Sequence, residues 1–508
     1  MSSPEQANDT VTSGGALRSI GRTLVRNPHA LLLACVVVAS LVLRVYVANR
    51  CSFWLDEVWT RHDSSAPWPE LLRGPSREHP PLLYVLVRLT MDVFGTSDLA
   101  VRGVSLFFGC VLLVAVYLLC LELTFSETEA LVTVVAVAVA PFFIRHATEA
   151  RQYALVSACT TLEFVFVLRL LRNPGNFRAF VGMALSAAAA AATHYFGLAY
   201  ACALIGALAV GTFPHWRAQL VPSRLRSRWA AVSLALALAL AAVAFRAVWL
   251  ALFYRTHSVG PHPHDLPDSI LRAFAFFQTR PRGNVVQACV AALGLAVLGF
   301  RLRGIARVLP FAVAFPPIGV ALLISSGHAV APRYLAPSWV LYQIGSCAAL
   351  LAVWRLIRGG NKLWERAARA VVASPIVLVP LAARLAEYPT GFNAGTDYYA
   401  GLQSFFANGR GRGTALVVFP LFPGKFIVGE GYPVNAPLIA LDEFKEIPGV
   451  TRYLVAEFER SSQTPQLEAL LQEHFHLSPR RWRALPVVRL AHTQFQRPVK
   501  ARLLRLTP

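Results

Sequence analysis

The chain has 508 residues, of which 56% are hydrophobic and only 15% charged, with a formal net charge of +21. Mean hydropathy is positive, which excludes a soluble globular body. The basic excess is that of membrane-protein loops under the positive-inside rule, so nucleic acid is not the expected partner.

Taken in order, apolar runs fall near 30–48, 103–122, 129–145, 154–171, 179–193, 196–213, 230–252, 285–301, 308–326, 334–354 and 370–386. Each suits the roughly 30 Å of hydrocarbon that a helix must cross. The arginine-rich segments RSIGRTLVRNPH, RLLRNPGNFR, PHWRAQLVPSRLRSRW, RLRGIAR and RLIRGGNKLWERAAR alternate with segments carrying histidine, proline and isolated acids. That alternation predicts a polytopic α-helical membrane protein of about 11 crossings, N-terminus inside and C-terminus outside. Its spans lie nearly free of charge at their centres, unlike those of an ion-coupled carrier. Residues 1–29 form a cytoplasmic tail, 30–386 the membrane module, and 49–102 one long outer loop. The stretch 80–95 is short and carries Arg88 and Asp92, so it is expected along the membrane surface, with Pro80 and Pro81 in its first turn. Residues 387–508 change character, and TALVVFPLF, RYLVAEF and PVVRLAH read as strands with a helix at PQLEALLQEHF. A small α/β domain outside the membrane is expected there. The eight cysteines are scattered without a CxxC pair, so neither a zinc knuckle nor a disulfide framework is indicated. Arginine far outnumbers lysine and alanine is abundant, a compositional habit of GC-rich bacteria.

This topology gathers polar residues on the outer face. The acidic pair Asp56 and Glu57 follows the first span, between Trp54 and Trp59, indole rings suited to the membrane interface. Glu78, His79 and Arg102 come later in that loop, and IRHATEARQYAL supplies Arg145, His146, Glu149, Arg151 and Tyr153. THYFG adds His194 and Tyr195, the loop at 253–284 carries His257, His262, His264 and Asp265, and GHAVAPRYLAP gives Arg333 and Tyr334. Singly these read as solvated loop groups or interfacial anchors. Together, acids from two loops and arginines from three others suit transfer from an anionic lipid-phosphate donor to a neutral hydroxyl. Guanidinium forks hold phosphate oxygens, and a carboxylate accepts or orients the hydroxyl proton. A hard divalent ion held by carboxylate and imidazole would assist the departing phosphate.

An acidic pair after the first span, His-Pro-Pro opening a helix, an arginine opening the next span, E-A-R-x-Y-A-L and P-R-Y-L-x-P together resemble the GT-C membrane glycosyltransferases. The likeness is to the bacterial branch of family 39, with the protein O-mannosyltransferases and the aminoarabinose transferase of lipid A, over residues 30 to 355. The resemblance implies a GT-C fold and a sugar moved from a polyprenyl-phosphate donor to a lipid, glycan or protein acceptor. It places the site on the outer face of a bacterial inner membrane. It assigns Asp56, Glu57 and Glu149 to catalysis, and His79, Arg102, Arg151, Tyr153, Arg333 and Tyr334 to the donor phosphate. His79 stands where the aminoarabinose enzyme has a lysine. Glu78, with His257, His262 and His264, would supply a divalent metal site. A transporter or flippase of an envelope component is the competing reading.

Overall fold

The computed structural model describes residues 27–49, 53, 55–73, 79–218, 281–307, 309–314 and 332–358, with strands between 414 and 506. The expected spans at 230–252 and 370–386, most of that at 308–326, and the helix at PQLEALLQEHF lie outside these residues.

Helix α1 (Pro28–Ala48) starts where the Asn27 side chain accepts the amides of His29 and Ala30, two donors the helix itself leaves unsatisfied. In the loop that follows, α2 (Leu55–Ser64), α3 (Trp68–Arg73) and α4 (Leu82–Phe94) form in turn. Next come α5 (Asp98–Glu122), capped by Ser97, and α6 (Glu127–Ala138), opened by a capping box of Ser126 and Glu129. Helices α7 (Pro141–Thr148), α8 (Tyr153–Arg172), α9 (Phe177–Thr193) and α10 (Tyr195–Ala218) complete this part. Beyond it lie α11 (Pro281–Arg301), the short α12 (Leu309–Ala314) and α13 (Ala336–Arg358). Among the described residues, four helices are long and apolar enough to cross a membrane, or five with α6 and α7 taken as one bent span.

That bend corrects the single straight span expected over 129–145. The axes of α6 and α7 meet at 63°, because Pro141 occupies the first turn of α7 and its ring and missing N–H cannot continue the ladder from α6. Helix α4 has 13 residues, about 20 Å at 1.5 Å per residue, too short to cross the hydrocarbon. Its prolines precede the helix instead of entering the first turn, with Pro81 as N-cap. The Arg88 Nε donates to Asp92 at 2.8 Å and Nη1 to the carbonyls of Ser65 and Ala66 at 3.2 and 3.3 Å. The two charges of α4 thus pair with each other and tie it to the end of α2.

Charged contacts separate into two ends of the bundle. At one end Glu122 accepts Arg169 at 2.7 Å and also pairs with Arg172, Glu129 pairs with Arg355, and His29 faces Glu127 at 2.8 Å. At the other end lie Asp56, Glu57, His79, Arg102, Arg151 and Arg333. Between them runs an apolar core built from α5, α6, α8, α9, α10, α11 and α13. A second cluster, including Phe53, Val58, Val87, Val101 and Leu155, lies under the polar end and binds α2, α4, α5 and α8 together. Helices α11 and α13 approach closely through Gly294 and Gly345, where a Cβ on Gly294 would collide with the Gly345 carbonyl; small residues permit such contact in membranes.

The span centres are not as free of charge as expected. Glu163, midway along α8, is fully buried, and neither carboxyl oxygen has a partner among the described residues. Arg44, in the last turn but one of α1, is also fully buried.

The C-terminal strands are β1 (Thr414–Phe419), β2 (Leu438–Ala440), β3 (Arg452–Glu457), β4 (Trp482–Ala484), β5 (Val488–His492) and β6 (Pro498–Leu506). They make a mixed sheet of order β2-β1-β3-β6-β4, with β5 also on β6. The pairs of β1 with β2 and β3 are parallel and those to β6 antiparallel. Strands were expected at β1, β3 and β5, and β2, β4 and β6 are additional.

Candidate active site

The acidic pair was expected in a loop, but it occupies the first turn of α2. Successive residues on a helix point about 100° apart, so two adjacent carboxylates there must serve different neighbours. They do. The Glu57 carboxylate takes Arg102 in a two-pronged pair, Nε to Oε1 at 2.7 Å and Nη2 to Oε2 at 2.8 Å. Its Oε1 also accepts the Ala150 amide at 2.8 Å. Arg102 gives its third nitrogen to the Ala48 carbonyl at 2.6 Å and stands 4.8 Å over the Phe53 ring. Both side chains are almost wholly buried, at 2% and 1% exposure. Burial pushes the Glu57 carboxyl up, against the opposing pull of Arg102 and the Ala150 amide. Glu57, expected in catalysis, and Arg102, expected on the donor phosphate, are thus each other's partner in this structure. The two occupy each other, and join the end of α1, α2, α5 and the E-A-R turn.

Asp56 faces the other way. Its Oδ2 lies 3.1 Å from Arg333 Nη2 and 3.7 Å from Arg151 Nη2, and the side chain keeps 20% exposure. Arg151 Nη1 donates to the Asp56 carbonyl at 3.3 Å and to Thr60 Oγ1 at 3.4 Å, while Thr60 donates to the same carbonyl at 2.9 Å. Ser105 donates to the Arg151 carbonyl at 3.0 Å, fixing the turn from behind. Three remote segments thus converge on one carboxylate: the start of α2, the turn between α7 and α8, and the 3-10 turn Pro332–Leu335.

Imidazoles and phenols close the remaining sides. His79 Nε2 lies 3.2 Å from Arg151 Nη2 and 3.4 Å from the Gln152 side-chain nitrogen. Its ring is 5.5 Å from that of His194, the residue after α9. Tyr334 lies against His194 at 5.0 Å, against Phe196 at 5.7 Å and near-parallel to Tyr153 at 6.5 Å. Burial, with Arg151 and Arg333 nearby, pushes His194 down to about 3. Burial, then Arg151 and His194, holds His79 well below the ordinary imidazole value. Both rings are neutral at physiological pH.

Glu149 stands beside this group with its charge committed. Oε1 accepts Arg145 at 2.7 Å, and Oε2 lies 3.2 Å from His146 Nδ1. Burial opposes its ionisation, but the Arg145 charge and the His146 hydrogen bond prevail and hold it at about 2. Such a carboxylate is a weak base. Of the expected metal ligands, Glu78, His257, His262 and His264 fall outside the described residues, as does Trp54. Among those described, no group of three or more His, Cys, Asp or Glu side chains has the geometry to hold a metal ion. In the sequence His194 reads only as an outer polar residue, and Thr60 carries no signal of its own. A histidine immediately after an alanine-rich span and before Tyr-Phe-Gly was the available signal.

Residues 78–249 match the family described as dolichyl-phosphate-mannose-protein mannosyltransferase. The fold is similar to that of the Cupriavidus metallidurans ArnT structure bound to undecaprenyl phosphate, with TM-score 0.50 and 14% identity, covering 93% of this chain and 97% of that one. An Archaeoglobus fulgidus oligosaccharyltransferase in its apo form aligns at TM-score 0.49 and 13% identity, covering 81% of this chain and 64% of that one. Among curated proteins no sequence matches. The match over residues 78–249 and the fold of the chain together support the resemblance to the GT-C membrane glycosyltransferases.

Proposed function

We propose that the protein transfers a sugar from a polyprenyl-phosphate donor to a hydroxyl on a lipid, glycan or protein at the outer face of a bacterial inner membrane. The observation that carries this reading is the convergence of Arg151 and Arg333, from separate outer segments, on the Asp56 carboxylate. Two guanidiniums at the mouth of a membrane bundle are what an anionic phosphate tethered to a lipid would seek. The bilayer would bring that phosphate to them in the plane of the membrane.

The phosphate takes the two guanidiniums that Asp56 holds beforehand, and the carboxylate is released toward the acceptor. The acceptor oxygen then attacks the anomeric carbon and forms the new glycosidic bond. The bond from that carbon to the phosphate oxygen breaks, and its electron pair leaves with the lipid phosphate beside Arg151 and Arg333. The hydroxyl proton passes to Asp56, whose positioned carboxylate supplies the basic group. Glu57 and Arg102 act at a distance by fixing the turn that carries Arg151.

A flippase would also need an anion site near the interface, and Glu163 removes the argument that its spans lack central charge. The convergent carboxylate still favours the transferase, because export alone has no use for a base beside the phosphate site. The test is direct: purified protein given a polyprenyl-phosphate sugar and an envelope extract should yield free polyprenyl phosphate and a glycosylated product. Movement of the intact donor across vesicles without release of polyprenyl phosphate would establish the flippase instead.

A further inference from the structure

The hydrogen-bond partners of His79 and His194 determine where each ring carries its proton. Guanidinium nitrogens only donate, so the Arg151 nitrogen 3.2 Å from His79 Nε2 must give its hydrogen to a lone pair there. The Gln152 side-chain nitrogen at 3.4 Å faces the same atom. The proton of His79 is therefore on Nδ1, which is buried and has no acceptor among the described residues. His194 is arranged in the mirror sense. Its Nδ1 accepts the Phe196 backbone amide at 3.1 Å, so its proton is on Nε2, also buried and without an acceptor among the described residues. His194 is only 3% exposed.

Two buried N–H donors without acceptors among the described residues are costly to keep, and these sit on neighbouring rings beside Arg151 and Arg333. A cation would be repelled there. An oxygen that only accepts is the complement, and resting on the reading above, that oxygen belongs to the lipid phosphate. We propose that His79 Nδ1–H and His194 Nε2–H form a neutral donor pair that grips a phosphate oxygen of the polyprenyl ligand and supplements the two guanidiniums. The pair adds direction without adding charge. Two guanidiniums set against the Asp56 carboxylate leave the site one positive charge in excess, matched to a singly charged phosphodiester.

The test uses the crossed amide substitutions. Asparagine can place an N–H where Nδ1 was and glutamine where Nε2 was. The probe is undecaprenyl phosphate, titrated into full-length protein in detergent, with the melting temperature of each variant as the fold control. His79→Asn and His194→Gln should bind within about threefold of the parent, whereas His79→Gln and His194→Asn should weaken binding about tenfold or more. Equal effects of Asn and Gln at either position would overturn the donor pair. Where both variants of one histidine lose the fold, the crossed pattern at the other decides. A parent protein that fails to bind undecaprenyl phosphate at all would instead overturn the donor reading itself.

Discussion

The Glu57–Arg102 pair offers the most quantitative check on how the site is built. At 1% and 2% exposure, with two hydrogen bonds at 2.7 and 2.8 Å, it is a fully buried ion pair. Glu57→Ala would leave the Arg102 guanidinium without its counter-charge and the Ala150 amide without its acceptor. Breaking one partner of a buried pair costs about 3–5 kcal/mol, and an orphaned buried amide about 1–3 kcal/mol more. Replacing both partners removes most of that penalty, so Glu57→Leu with Arg102→Met should be far less damaging than either single change. The assay is a double-mutant cycle on equilibrium unfolding in detergent. It should give a coupling energy of about 2 kcal/mol or more, toward the upper end for neighbouring residues. Transfer should fall in each single variant, because the turn carrying Arg151 is no longer held. Single variants within about 0.5 kcal/mol of the parent, the range of ordinary surface changes, would refute the buried-pair reasoning.

Arg333→Ala removes one of the two guanidiniums and should weaken undecaprenyl phosphate binding about 10- to 100-fold, the worth of a charged hydrogen bond, without loss of fold; isothermal titration would read it. His79→Lys adds a positive charge beside Arg151. It should tighten the doubly charged product more than the singly charged donor and slow turnover, which single-turnover against steady-state rates would expose. For acid stability the sign follows from His194: the unfolded ring takes a proton near 6.5, the folded one only at about 3. The unfolded state binds more protons between those values, so stability falls as pH drops through that window. His194→Gln should flatten that decline in detergent melting curves, and an unchanged slope would contradict the neutral buried ring. Gly294→Leu should drive α11 and α13 apart and lower thermal stability sharply, whereas Gly304→Ala, at a turn with open space around it but φ +57, should cost little beyond backbone strain.

The helical membrane architecture was legible because loop arginines and apolar runs are long-range averages that one local irregularity does not disturb. The arginine clusters at Arg169, Arg172 and Arg355 meet acids at one end of the bundle, as their segments suggested. Averages also hide single residues, and this is why Glu163 passed unnoticed within an otherwise apolar run. The motif residues Asp56, His79, Arg151, Tyr153, Arg333 and Tyr334 do assemble, each being near a helix end that faces one way. What the chain order could not convey was rotation. Asp56 and Glu57 look equivalent in a string, but on α2 one turns to Arg151 and Arg333 and the other to Arg102. Arg102 likewise reads as a donor-phosphate ligand, because its partner lies 45 residues earlier. The break at Pro141 was visible as a residue, yet a proline near a span end is compatible with either a kink or a simple start. Only packing decides between them.

In the proposed reaction Asp56 receives the acceptor proton between two phosphate-binding arginines. The most direct test is sugar transfer by purified Asp56→Asn, measured beside its affinity for undecaprenyl phosphate. Asparagine preserves the shape and removes the base, so transfer should fall by about 100- to 10,000-fold, the usual range for a positioned acid–base group. Lipid-phosphate binding should be kept or tightened, because the arginines lose a competing carboxylate. Transfer at close to the parental rate would show that Asp56 is not the base.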